Sequence, residues 1–478
     1  MVKERKHKQW KANKKRYYRS QDNSAKFLIF GLLVLSTAIA LKNNSQLTRI
    51  NSLKDYSSNL SNLNDISQKY SVTDNNDKSQ DFAIAGSIDD FKNIDFTKID
   101  NYASSVRYQG TSVFELASLL SRYARTEAEK ARIIYSWIAY NITYDVPAYL
   151  SGNYGDLSPQ GVLQSRKGVC SGYANLYKAL AIAMGLDAVT VEGYAKGYGY
   201  VVGNTTQINH AWNATKINNK WYLLDPTWGA GNINNEQFNQ HFNPYYFATP
   251  PEQFIFNHFP TEKKLQLLST SYTKQQFDTT PKFFPEFFKN NLHLVSHPNY
   301  IIDASSSFQV ILSAPKDITA LARLKFGSSY LNDTYTFVQR KDNNIIVTVS
   351  PPGGTYELEI FSKNKDISQV YQQAMTYKVI SNNTGEEFPK IYSTFSDRNS
   401  YLYAPLNKQL FAGSVYFKIE VPDALELQVI DTSSNKWVQL TRSGNTFEGN
   451  VPVSSNKIQV AAKFPENKDY WTLVEYNQ

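Results

Sequence analysis

The chain has 478 residues, 41% hydrophobic and 14% aromatic, with 50 Lys and Arg against 42 Asp and Glu for a net charge of +8. That length predicts two to four domains rather than one, and the composition excludes wholesale disorder. Ten of the basic residues precede Phe27, where Glu4 and Asp22 are the acidic ones, and the remaining 40 basic and 40 acidic residues cancel, so the body has no basic face to track phosphates and no nucleic-acid partner is expected.

In chain order, a basic tail (1–26) leads into residues 27–41, where Gly31, Ser36 and Thr37 are the only ones not clearly apolar. As a helix this run spans about 23 Å, short of the roughly 30 Å of bilayer hydrocarbon, which suits a signal-peptide core or a short signal anchor. Ala38-Ile39-Ala40 offers a small-x-small cleavage pattern, whereas the long basic tail favours a retained anchor. The positive-inside rule then predicts a single-pass protein of the cell membrane with its body outside the cytoplasm, or a secreted body after cleavage. Residues 42–105, rich in Asn, Ser, Asp and Lys, read as a polar spacer.

Helical periodicity begins at Thr111, with Val113, Leu116, Leu119 and Leu120 on one side. Thr126-Glu127-Ala128-Glu129 forms a capping box that opens a helix carrying Ala131, Ile134, Trp137 and Ile138. A polar loop and a short turn around Val162 and Leu163 follow. Helix formers then run from Tyr173 to Met184, stopped by Gly185. The period next becomes two: 188–192, 210–216 and 220–224 read as strands, the last two joined by a tight turn at Asn218-Asn219. Residues 238–298 are aromatic and irregular. Beyond Tyr300 come two sets of short alternating runs, 308–312, 320–326, 345–349, 355–361 and 374–380, then 400–403, 415–421, 425–430, 437–441, 457–464 and 471–476. They predict two β-sandwich modules, 299–382 and 383–478.

Cys170 is the only cysteine, so no internal disulfide supports the fold. A lone cysteine is ordinarily a small buried hydrophobe. Here it stands where a glycine-containing loop enters a helix, facing unpaired N–H groups and the positive end of the helix dipole, a placement that favours the thiolate. His210 and Asp225 fall on the two strands joined at Asn218-Asn219. A two-residue turn sets His210 across from Thr227 and makes Asp225 its diagonal neighbour, within reach of a hydrogen bond. Taken singly, a histidine beside Trp212 is usually a satisfied core residue and an aspartate before proline a turn former. In this order they match a thiol nucleophile, its base and the residue that orients the base.

Gly168-Val169-Cys170-Ser171-Gly172-Tyr173-Ala174, His210-Ala211-Trp212-Asn213 and Asp225-Pro226-Thr227-Trp228 resemble the three signature blocks of the transglutaminase-like superfamily of papain-type thiol enzymes. Tyr245-Tyr246-Phe247, Pro251-Glu252-Gln253-Phe254-Ile255, His258-Phe259-Pro260 and Leu265-Gln266-Leu267-Leu268 are similar to its kyphoscoliosis-peptidase branch, although Lys264 replaces an expected aromatic. The resemblance implies an α+β papain/transglutaminase-like core at 106–298 followed by the two all-β immunoglobulin-like modules. It implies Cys170 as nucleophile, His210 as general base and acid, Asp225 as orienter and a thioester intermediate on a protein or peptide substrate, without a cofactor. Gln164 is the oxyanion candidate beside the Cys170 N–H, and Tyr173, Trp212 and Trp228 are expected around the pocket. Cysteine peptidase, protein transamidase and non-catalytic scaffold are the three functional readings. No metal is expected: His293 and His297 have helical ligand spacing, but Pro298 and the surrounding strands leave no third ligand.

Overall fold

The structure, a computed structural model, describes residue 82 and residues 84–200, 207–454 and 457–477. The basic tail, the apolar run 27–41 and most of the expected spacer lie outside the described residues. The single-pass arrangement is corrected here: no helix among the described residues is long and apolar enough to cross a membrane, and the run at 27–41 is itself shorter than the bilayer core. Among the described residues, 82–146 and those from Gly155 onward form one unit, and Pro147–Tyr154, largely a helix over Val146–Ser151, lies outside it.

The spacer boundary also moves, because the chain joins the core well before residue 106. Ala85 bridges to Trp221, and the Gly86 N–H donates to the Trp221 carbonyl at 2.9 Å. Phe91 and Phe96 are buried, and helix α1 (Thr97–Ser105) buries Ile99 and Ala103. Asp100 accepts two hydrogen bonds from the Arg132 guanidinium, both 2.8 Å, and a third from Ser136 at 2.6 Å. Arg132 is buried among the rings of Phe96, Tyr135, Phe242 and Phe247, each 5.0–5.6 Å away. A guanidinium out of water needs such a carboxylate, since a buried charge stripped of its partner costs about 3–5 kcal/mol.

Helix α2 (Val113–Ser121) packs its leucine face inward, and α3 (Glu127–Asn141) begins with the expected capping box: Thr126 Oγ1 accepts from the Glu129 N–H and Glu129 from the Thr126 N–H. Every residue of α3 from Ala131 to Ala139 is buried, and the Trp137 indole N–H donates to the Val106 carbonyl. A short helix α4 (Pro159–Ser165) leads to α5 (Cys170–Ala183), which buries Tyr173, Leu176, Tyr177 and Leu180. Gly185 follows at φ +79°, a left-handed position suited to glycine after a helix.

Four antiparallel strands, β1 (Ala188–Ala195), β2 (His210–Ile217), β3 (Lys220–Leu224) and β4 (His258–Pro260), form a sheet in the order β3-β2-β1-β4. Asn218 and Asn219 both have positive φ, the two-residue hairpin turn that their type predicts. The helical core contacts the sheet through Ala188, Ile217, Tyr222 and Leu224, and a second cluster contains Val191, Trp212, Ala214, Trp221, Leu223, Phe254, Leu265 and Leu267. Side chains of both parities on β2 are therefore buried, which is why it lacks clean alternation. Gly193 faces His210 on one side and Pro260 on the other. A β-carbon there would lie 2.2 Å from the Phe259 carbonyl oxygen, so only glycine lets β1 and β4 close together.

The C-terminal half contains two β modules. In the first, a sheet built around Ile318–Phe326, Gly354–Asn364 and Gln372–Ser381 shares a core with one built around Phe308–Ser313, Thr336–Lys341 and Asn344–Val349. Its core includes Phe283, Phe287 and Leu292, and Lys282–Phe283 pairs with Met375 and Thr376, so this module starts before residue 299. The second places a five-stranded sheet beside a four-stranded one, with Leu427, Val429, Phe447, Val460 and Leu473 in its core.

Candidate active site

Three elements converge on one buried carboxylate. Cys170 is the first residue of α5 and is partly exposed, at the end where a helix's first N–H groups lack intrahelical partners. His210 opens β2. The pairing of Asn213 with Leu224 and Ile217 with Lys220 extrapolates to His210 opposite residue 227, as the turn requires. The strand ends at Leu224, however, and Asp225 is the N-cap of a short helix, α6 (Pro226–Ala230), with Pro226 at its first position.

Capping uses one carboxylate oxygen and leaves the other for the site. Asp225 Oδ1 accepts from the backbone N–H groups of Thr227 at 2.8 Å and Trp228 at 3.1 Å. Asp225 Oδ2 lies 2.7 Å from His210 Nε2. With Nε2 directed to Asp225, Nδ1 is the ring nitrogen left for the Cys170 side chain, whose proximity favours the charged ring. The structure thus brings Cys170, His210 and Asp225 together, with a direct hydrogen bond between His210 and Asp225.

A fourth residue joins them that the sequence reading did not assign to the site. His258, on β4, places Nε2 2.9 Å from the same Oδ2. Asp225 is fully buried, and His258 and His210 are 1% and 8% exposed. His258 stacks on Phe254 with ring centroids 4.0 Å apart, and Trp228 and Trp212 lie 4.3 and 5.2 Å from it. Nothing periodic marks it, since β4 is three residues long; the triplet His258-Phe259-Pro260 was the available signal.

Electrostatics separate the two imidazoles. Burial opposes a charge on His210, but Asp225 and the Cys170 sulfur outweigh it and push the ring up to about 10. Burial also opposes charge on Asp225, yet attraction to His210 and the bonds from both imidazoles hold it well below the usual carboxylate range. For His258 burial wins over the Asp225 bond, with repulsion from His210 adding to it, and the ring falls to about 4. The cluster is then an imidazolium and a neutral imidazole on one carboxylate.

The other expected site residues divide. Trp228 is half-buried with its ring 5.5 Å from His210, a wall of the site. Trp212 is fully buried and stacks beside His210 at 6.0 Å, and Tyr173 is fully buried with its hydroxyl donating to the Ile142 carbonyl at 2.6 Å, so neither faces an opening. Gln164 is exposed on α4 and makes no hydrogen bond to the cluster, because the inward residues of that helix are Gly161, Val162 and Leu163. His210, Asp225 and His258 have the chemistry of metal ligands, their donor atoms lying within 4.8 Å of one another. His293 and His297 are not among them; their Nδ1 atoms pair with the Asn291 carbonyl and the Ser296 hydroxyl.

Residues 115–226 match the family model described as the transglutaminase-like superfamily, and residues 274–392 match the KY-like, immunoglobulin-like domain. The chain is 30% identical over 292 residues to kyphoscoliosis peptidase of Homo sapiens, covering 60% of this chain and 43% of that protein. It is 27% identical over 301 residues to hillarin of Drosophila melanogaster, covering 56% and 37%. It is 29% identical over 217 residues to Lim and transglutaminase domain protein ltd-1 of Caenorhabditis elegans, covering 42% and 30%. In each case it spans less than half of the relative's length. The core is thus a transglutaminase-like domain of the kyphoscoliosis-peptidase branch, followed by an immunoglobulin-like domain.

Proposed function

We propose that this chain, with its transglutaminase-like core, is a thiol enzyme that hydrolyses protein or peptide amide bonds. The observation that carries the reading is a partly exposed sulfur at a helix N-terminus beside His210, whose ring is hydrogen-bonded to a buried carboxylate. In this mechanism the Cys170 sulfur, its proton passed to His210, attacks the amide carbonyl. The oxyanion forms beside the first-turn N–H groups of α5, Cys170's among them. His210 gives the proton to the leaving nitrogen as the C–N bond breaks, leaving a thioester and a free amine. Water then gives a proton to His210 and attacks the thioester, releasing the acid and restoring the thiol. A primary amine in place of water would make the same intermediate a transamidase. Hydrolysis is preferred because the human relative is named a peptidase.

A binding role without turnover is the competing reading, favoured by Gln164 being exposed and making no hydrogen bond to the cluster. Iodoacetamide labelling separates the two. Thiol-enzyme chemistry predicts that Cys170 labels far faster in the folded chain than in the unfolded chain, and that His210→Ala removes the difference; equal rates would leave a binding module. Incubation with a peptide library, with and without a primary amine, then distinguishes cleaved peptides from amine adducts by mass.

A further inference from the structure

His258 shares its acceptor atom, Asp225 Oδ2, with His210. A carboxylate oxygen has two lone-pair directions. On Asp225 Oδ2 they meet two ring nitrogens, while Oδ1 is used by two backbone N–H groups, so four donors surround a fully buried carboxylate. With any one donor removed, a charged oxygen is left short of a partner where water cannot replace it. The fold goes to some length to supply the fourth. Gly193 lets β4 approach β1, Phe254 stacks on one face of the ring, and Trp212 meets it edge-on.

Resting on the thiol-enzyme reading above, we infer that His258 is a positioning residue: its Nε2–H fixes the Asp225 carboxylate and, through it, holds His210 with Nδ1 turned toward Cys170. The role needs a neutral ring with its proton on Nε2, which agrees with the direction in which burial moves this histidine. Its Nδ1 is buried without a well-formed hydrogen bond; the group beside it is the Phe254 carbonyl, an acceptor that would pair with Nδ1 only if that nitrogen were protonated. A metal role for the trio fits less well. The nitrogens sit at direct hydrogen-bond distance from the oxygen, and an ion would have to displace both protons in a site closed to solvent.

Two measurements test the inference. Nitrogen-15 NMR of histidine-labelled protein at neutral pH is expected to show His258 neutral and protonated on Nε2; a charged ring, or a proton on Nδ1, overturns it. In iodoacetamide labelling of Cys170, His258→Phe should slow the reaction about 10- to 100-fold. His258→Gln should recover most of that loss, because its amide N–H can take the place of the Nε2–H. Equal rates in wild type and His258→Phe, or equal losses in both folded variants, overturn it. So does labelling that falls with a chelator and returns with zinc. If wild-type Cys170 labels no faster than the unfolded chain, the thiol-enzyme reading fails and takes the inference with it. Fast wild-type labelling unaffected by His258→Phe sinks the inference alone.

Discussion

Asp225 in the core and Asp431 in the second β module are built alike as far as one oxygen. Each stands at the end of a buried strand, and each directs Oδ1 to the N–H groups two and three residues on: Thr227 and Trp228 at 2.8 and 3.1 Å, Ser433 and Ser434 at 2.9 and 3.2 Å. They part at the second oxygen. Asp225 Oδ2 meets two imidazoles, whereas Asp431 Oδ2 accepts from the Ser454 hydroxyl at 3.3 Å. An aspartate that caps a turn therefore says nothing about chemistry until the partners of its other oxygen are known.

Substitution at the core aspartate gives the widest separation. Asp225→Asn should keep the cap but abolish the folded-state advantage in Cys170 labelling, because the amide cannot stabilise an imidazolium; Asp431→Asn should leave that rate within about twofold of wild type. A smaller contrast comes from pH. His258 is held near 4 against an ordinary 6.5, so the unfolded chain binds more protons between those values. Its contribution is present above pH 6.5 and disappears as pH falls toward 4, with a slope of up to about 1.4 kcal/mol per pH unit. His210, raised to about 10, runs the other way: its contribution is full below pH 6.5 and declines as pH rises toward 10. Urea denaturation from pH 4 to 6.5 should thus show a rise in stability that is shallower in His258→Phe than in wild type.

Gly193→Ala tests the strand geometry behind the pair of imidazoles. The added carbon strikes backbone, so a loss of about 1–3 kcal/mol is expected in thermal denaturation together with slower labelling. The smallest effect belongs to Asp431→Ala, which should cost about 1 kcal/mol as a lost cap and leave Cys170 unchanged.

Much of this was legible in the residues. The capping box at Thr126, the glycine stop at Gly185 and the Asn218-Asn219 hairpin are local signals, and the structure follows each of them. Cys170, His210 and Asp225 could be named because their flanking blocks are distinctive. Four features were not legible. His258 lies 33 residues beyond Asp225 on a strand too short to carry a period. Thr336–Lys341 went unseen because Gln339 and Arg340 are buried beside Phe337; the Arg340 guanidinium donates to the Ala314 and Pro315 carbonyls at 3.0 and 2.9 Å, and such residues break the alternation. Thr446–Val453 contains Gly449 and Pro452, which argue against a strand; past Glu448 it pairs with Gly413–Glu420 alone, and the unpaired side tolerates proline. Tyr173 was misplaced because helix periodicity gives no sign that its hydroxyl turns inward to the Ile142 carbonyl.

The clasp between Asp100 and Arg132 sets a limit on how far this polypeptide can be trimmed. The family match opens at residue 115, and a clone cut there would discard Phe91, Phe96, Ile99 and the carboxylate that neutralises the cation of α3. Such a truncation should come out of the cell as insoluble material. A recombinant version meant for assay has to begin upstream of Ala85.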